Sequence, residues 1–322
     1  SAGVGTSGAS VGFGIKENNF LGKGIQLNSN LSLSTNSFKG EFGLTNPHFN
    51  NTDKSIYVNF KAIEDDNYDA FGYKSNQTGF EIGTSFEYYN DFRLGVGTSN
   101  IYEVIKTNNT ASQSQQNQEG NYWDSFLKLD FNYDKRNQKF QTTSGFRSFY
   151  SIDLPIISEN NTLKNSYNYS HYFDLFDENI SSVSLLLKSA NSINNKDVKL
   201  SERIKIPSSK LRGFEAGRFG PKDGDDFIGG NYGLALNFAS TIPKLLENSQ
   251  NVDFLFFIDA ANLWGVDYDN SIDDSGSIRS ATGVALDWFS PIGPLNFSLA
   301  YPILKEEGDK AETFRFNLGT TF

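Results

Sequence analysis

The chain has 322 residues and a formal charge of -10, and only 37% of it is hydrophobic although aromatic residues reach 15%. So acidic a balance offers phosphates no basic stripe and excludes general nucleic-acid binding, and the absence of cysteine removes disulfides, thiolate metal sites and cysteine nucleophiles. Mean hydropathy is -0.46, and no stretch approaches the roughly 18 consecutive apolar residues of a membrane-spanning helix.

What recurs instead is alternation with period two, the mark of a strand with one apolar and one polar face. A membrane barrel reads this way, because every second residue meets lipid and the others meet a polar lumen. In chain order the segments are 1–6, 9–17, 25–34, 38–46, 55–64, 77–88, 92–102, 121–133, 145–155, 166–176, 180–191, 230–240, 252–263, 278–289, 294–302 and 312–322. That is about sixteen strands, an even number as in single-chain bacterial barrels. Within 122–133, Trp123, Leu127, Leu129, Phe131 and Tyr133 share one face, and Asp124, Lys128, Asp130 and Asn132 the other. Near the C-terminus, Phe314, Phe316, Leu318 and Phe322 oppose Arg315, Asn317 and Gly319.

The connections alternate between short and long, as at the two rims of a barrel. Tyr89–Asp91 and Ser290–Gly293 are short, whereas 103–120, 192–229 and 264–277 are long. The run from Asn108 to Gly120, rich in Asn, Gln and Ser, predicts a mobile loop tip. Because alternation extends from the first residues to the last, 1–322 is expected to be a single transmembrane β-barrel domain. Ser1 is followed by no charged and apolar leader, so export of such a chain implies a signal peptide already removed.

Catalytic and metal chemistry find little support. His48 and His171 fall in a turn and a strand without clustered carboxylates, and Asp223, Asp225 and Asp226 lack the spacing of a calcium loop. Neither histidine accompanies a recognisable serine motif, so no nucleophile, base and orienting group can be assembled. The expectation is a non-enzymatic protein with no catalytic residue, metal or cofactor.

Several segments, in order, resemble the BamA-type barrel of the outer-membrane assembly machinery. Leu211-Arg212-Gly213-Phe214, followed by Gly220-Pro221-Lys222, is similar to that family's Val-Arg-Gly-Phe motif and its sequel. Phe257-Ile258-Asp259-Ala260-Ala261-Asn262-Leu263-Trp264 and Trp288-Phe289-Ser290-Pro291-Ile292-Gly293-Pro294-Leu295 match its late strands. Phe314 to Phe322 resembles the terminal β-signal, and Asn46-Pro47-His48-Phe49 a periplasmic turn. The resemblance implies a bacterial outer-membrane insertase that folds client β-barrel proteins into the lipid bilayer at the seam between its first and last strands, without nucleotide. It also implies periplasmic POTRA domains ahead of the barrel, absent from this chain, through which accessory lipoproteins would bind. A TamA-type or two-partner secretion barrel, or a passive porin-like channel, remains the alternative.

Two physical expectations accompany the resemblance. A guanidinium folded into a lumen needs a carboxylate, and parity places Asp259 on the lumen face because Phe254, Phe256 and Ile258 take the lipid face. Loop 192–229 should therefore enter the lumen and pair Arg212 with Asp259 in a bidentate geometry that Lys would not reproduce. The family's further acidic partner on the preceding strand is replaced here by Asn237. The second expectation concerns the seam. Its first strand carries Gly3, Val4 and Gly5 and its last Phe316, Leu318, Gly319 and Phe322; glycine packs nothing across a ladder, so this pairing should be the weakest in the barrel. In the resembled family that seam is the lateral gate.

Overall fold

Strands with one face in lipid cannot leave backbone groups unpaired, so they must close on themselves. The computed structural model describes residues 2–5, 8–139, 141–243, 251–290 and 293–318. Its strands are β1 (Ala2–Gly5), β2 (Gly8–Phe20), β3 (Ile25–Ser34), β4 (Ser37–Asn46), β5 (Ser55–Asn67), β6 (Tyr73–Tyr89), β7 (Phe92–Thr107), β8 (Gly120–Asp134), β9 (Gly145–Ile157), β10 (Thr162–Phe173) and β11 (Ser181–Ser192). Two short strands follow, β12 (Lys222–Asp223) and β13 (Asp226–Phe227), and then β14 (Tyr232–Thr241), β15 (Val252–Trp264), β16 (Arg279–Ser290), β17 (Gly293–Leu304) and β18 (Phe314–Leu318). Among the described residues sixteen of these form one closed antiparallel barrel, in which β1 pairs with β18. β12 and β13 make a hairpin inside the β11–β14 connection. The sixteen alternating segments of the sequence thus correspond to the sixteen barrel strands.

The largest boundary differences, at β10, β6 and β7, have identifiable reasons. β10 begins at Thr162, which pairs with Ser192, and stops at Phe173. Leu175 and Phe176 prolong the alternation on paper but lie exposed in the rim turn, where amphipathic and aromatic groups meet the bilayer interface. β6 and β7 run past the apolar pattern to Tyr73 and Thr107, because their upper ends face protein inside the barrel instead of lipid.

Parity sorts the side chains. Trp123, Phe256, Ile258, Val284 and Trp288 are exposed on the outside, while Glu103, Asp124, Asp259, Arg279 and Arg315 are buried inside. Aromatic pairs mark both rims: Tyr102 with Trp123 and Tyr232 with Trp264 at one, Phe92 with Tyr133 at the other. His171 belongs to this outer belt, its ring 5.5 Å from that of Phe173.

The apolar core lies within the lumen. Val198, Ile204, Ile206, Leu211, Phe214 and Phe219 of the β11–β14 connection pack against Leu186, Ala235, Ala261, Leu263 and Ala281 of the wall. This connection is a plug. The segment from Asn108 to Gly120, expected to be a mobile tip, is instead folded against it. Following the short helix α1 (Tyr68–Phe71), the second helix α2 (Gln113–Gln116) is closed by a capping box between Ser112 and Gln115. Gln118 accepts from the Leu200 backbone at 2.9 Å. Polar hydrogen bonding, which has no apolar period, orders this segment.

The parity assignment has a measurable consequence. Ile258 lies mid-strand on the lipid face, so Ile258→Arg should lower folding stability in vesicles by about 2–4 kcal/mol. Ser151→Arg, inside the lumen, should cost much less; denaturant titration of both variants checks the difference.

Candidate functional site

The motif loop reaches the wall at β15. Arg212 donates from Nε to Asp259 Oδ2 at 2.7 Å and from Nη2 to Oδ1 at 2.8 Å, a bidentate pair. The Arg212 backbone N–H adds a bond to Oδ2 at 3.0 Å, and Asn237 Nδ2 donates to Oδ1 at 2.8 Å. Asp259 is 0% exposed. Desolvating a carboxylate costs several kcal/mol unless its lone pairs are met, and here four donors meet them. Asn237 also donates to Lys210 O at 2.8 Å, so it bridges wall carboxylate and loop backbone. The guanidinium lies over the Phe257 ring, 3.6 Å from its centroid.

The neighbours of Arg212 explain how it gets there. Leu211 and Phe214 are buried in the plug core, and the Phe214 and Phe219 rings pack 5.9 Å apart. Just before Phe214, Gly213 has a φ of 90°, and a Cβ there would meet Ala281 at 3.0 Å and Ala300 at 3.2 Å. Only glycine against two alanines allows the loop backbone so close to the wall.

A second attachment, not recognised in the sequence, ties the plug to β7 and β8. Lys199 Nζ lies 3.3 Å from Glu103 and also contacts Asp124, with the ammonium 4.8 Å from the Tyr122 ring centroid. Ser201 Oγ donates to Glu103 at 2.9 Å. Burial alone would lower the Lys199 pKa, but Glu202, Glu103 and Asp124 together hold it above the ordinary lysine value. Nearby, Arg203 pairs with Asp267 and donates to Asn231 at 2.9 Å. The available signal was parity: Asp124 shares the lumen face with Lys128, and a carboxylate there needs a cation. Which cation it meets is set by the fold.

Beneath the plug a chamber of about 490 Å³ is lined by charged groups including Lys61, Glu81, Lys128, Asp153, Lys164 and Lys188. The apolar attachment is thus on the β14–β16 wall and the ionic one on the β7–β8 wall.

The seam lies elsewhere on the wall. Its described register pairs Val4 with Leu318 and Gly5 with Asn317, while Gly3 pairs with Ser10 of β2. On the other flank Phe316 pairs with Phe297, their rings 5.0 Å apart. Gly319 and Phe322 lie outside the described residues.

A closed sixteen-strand barrel with aromatic rims, an outward apolar band and an inward motif loop defines a transmembrane outer-membrane β-barrel that carries its own plug. Comparison with known proteins narrows the class. The Omp85 superfamily domain model matches residues 19–322. The outer membrane protein assembly factor BamA of Neorickettsia risticii is 25% identical over 257 residues, covering 78% of this chain and 34% of that protein. The structure of BamA from Haemophilus ducreyi lacking POTRA domains 1-3 superposes with a TM-score of 0.89 at 27% identity, covering 98% of this chain and 68% of that one. CdiB from Acinetobacter baumannii, with a TM-score of 0.59 at 15% identity over 98% of this chain and 58% of that one, shares the fold alone. The chain belongs to the Omp85 superfamily, its barrel is of the BamA type, and its place is the bacterial outer membrane. It spans about a third of the length of the curated BamA relatives it matches.

Two predictions arise from the plug contacts. Asp259→Ala leaves the guanidinium of Arg212 unpaired inside the wall and should destabilise plug docking by about 3 kcal/mol. Limited proteolysis should then cut within 193–231, and Arg212→Lys, with no planar fork, should be cut too. The second concerns Lys205, whose ammonium sits 3.6 Å from the Phe71 centroid and donates to the Tyr73 hydroxyl at 2.8 Å. Burial lowers its pKa from 10.5 to about 7, against a weaker opposing pull from Asp65. Because the folded value lies below the unfolded one, the unfolded state binds more protons between them, and docking strengthens as pH rises through that window. Protease protection of the plug should grow from about pH 7 to about pH 9 in the native chain, and Lys205→Met should flatten the difference.

Proposed function

We propose that this chain is the barrel of an outer-membrane protein insertase, which folds and inserts client β-barrel proteins at the seam between β1 and β18. The observation that carries the reading is the seam itself, a closing ladder in which Gly3 and Gly5 flank Val4 opposite Asn317 and Leu318. A closed barrel has no edge to offer. A seam that parts exposes two, and an incoming client strand can satisfy the freed backbone groups by β-augmentation. Glycine on one side lowers the cost of parting, because few side-chain contacts are lost with the ladder. The chemistry is exchange of hydrogen bonds and lipid contacts, which requires no nucleotide.

The BamA relatives support the client class, outer-membrane β-barrel proteins in a lipid bilayer. Accessory lipoproteins would be recruited through periplasmic POTRA domains. A passive porin is disfavoured by the plug, whose apolar residues fill the lumen against β14–β16.

The test uses cysteines at Val4 and Leu318, register partners in a chain without native cysteine. In lipid vesicles, with the periplasmic domains attached, the reduced chain should accelerate folding of an unrelated client barrel and the oxidised chain should not. A verified crosslink that leaves the acceleration intact removes the seam from the mechanism.

A further inference from the structure

Besides its two attachments to the wall, the plug pairs edge to edge with the connection that leads into β18. Phe214 forms an antiparallel bridge with Ala311. Glu215 N donates to Lys310 O at 2.9 Å, Glu312 N to Gly213 O at 3.0 Å, and Lys310 N to Arg218 O at 3.0 Å. Arg315, facing inward near the start of β18, donates from Nη2 to Phe214 O at 2.8 Å and from Nε to Glu312 at 2.8 Å. Asp309 closes the other end, accepting from Arg279 Nε of β16 at 2.8 Å and from Gly220 N at 3.4 Å.

The spacing along the chain matters most. The residue that pairs with Asp259 is Arg212, and the residues that pair with the β18 connection begin at Gly213. No flexible segment separates the two attachments, and Gly213 itself is wedged against Ala281 and Ala300. Movement of Arg212 away from β15 must therefore break the pairing with 310–312 or carry that segment along. Breaking it leaves the carbonyls of the buried Gly213 and Phe214 without Glu312 N and Arg315 Nη2, which is costly. Carrying it along displaces the upper end of β18, the strand that pairs with β1 at the seam. A contiguous network of this kind couples sites when both bias the same element.

We propose that Arg315 is a positioning residue: with the pairing of 213–218 to 310–312, it makes the motif loop a clamp on the upper end of β18. Release of Arg212 from Asp259 then loosens the seam. This deepens the insertase reading and rests on it for its functional meaning, but the coupling is measurable without any client.

Hydrogen exchange of the full chain in lipid vesicles reads it directly. Asp259→Ala, at the distant anchor, and Arg315→Gln, at the clamp, should each raise exchange of the 310–318 amides by about tenfold and leave β9 and β10 unchanged. Arg315→Lys, which keeps a cation with fewer donors, should fall between. If Asp259→Ala raises exchange in 211–220 while 310–318 stays at the native level, the coupling is overturned. A second measurement stands should a variant unfold: cysteines at the opposing positions Glu215 and Lys310. Oxidised, this chain should fold, protect 310–318 and stop client insertion, with activity returning on reduction. Insertion by the oxidised chain at the reduced rate also overturns the coupling. A reduced chain that inserts nothing counts against the insertase reading, while the exchange measurement still decides the clamp.

Discussion

The plug is registered on the wall by one guanidinium and one carboxylate. Arg212 and Asp259 meet inside a membrane barrel, where neither could stand unpaired, and the geometry around them follows from that need. Asp259 sits inward because Phe256 and Ile258 sit outward; Asn237 turns to its second oxygen; Ala281 and Ala300 stay small so that Gly213 can approach. An anchor built from a side-chain fork has a single register. The apolar residues of the plug could slide along a wall of alanines and leucines, but the bidentate pair cannot.

Much of this was legible in the sequence, because the two strongest signals are local. Period-two alternation depends only on which side of a strand meets lipid, and it placed the barrel strands with small errors at β6, β7 and β10. The parity of Asp259 follows from Phe254, Phe256 and Ile258 alone. What escaped is non-local. Lys199 lies 96 residues from Glu103 and 75 from Asp124 along the chain, and no period links them. The segment from Asn108 to Gly120 looked unstructured because its order comes from a capping box and from glutamine contacts to the plug, neither of which leaves an apolar pattern. The clamp on β18 is mostly backbone to backbone, and backbone pairing between two loops has no residue signature.

The two ends of the plug are held by different physics. Toward β14–β16 the contact is a close apolar cluster around one ion pair; toward β7 and β8 it is a buried cluster of charges over a polar chamber. Apolar packing is short-ranged and is lost as soon as surfaces part. Buried ion pairs respond to their surroundings instead, because their mutual attraction falls as water enters and raises the effective dielectric. The end nearer the chamber is therefore the more sensitive to hydration, and the motif end the more sensitive to displacement.

That asymmetry bears on how a sealed barrel could also part at its wall. A plug fixed by packing alone would hold its wall strands rigidly, and a plug fixed by surface charges would hold them hardly at all. Here the motif strand is shared between β15, through Arg212, and the approach to β18, through Phe214 and Arg315. The β15 contact is made by a side chain that can detach as a unit, while the β18 contact is made by backbone groups that must find new partners if broken. Strain applied at the seam therefore reaches the Arg212–Asp259 pair through this one shared strand.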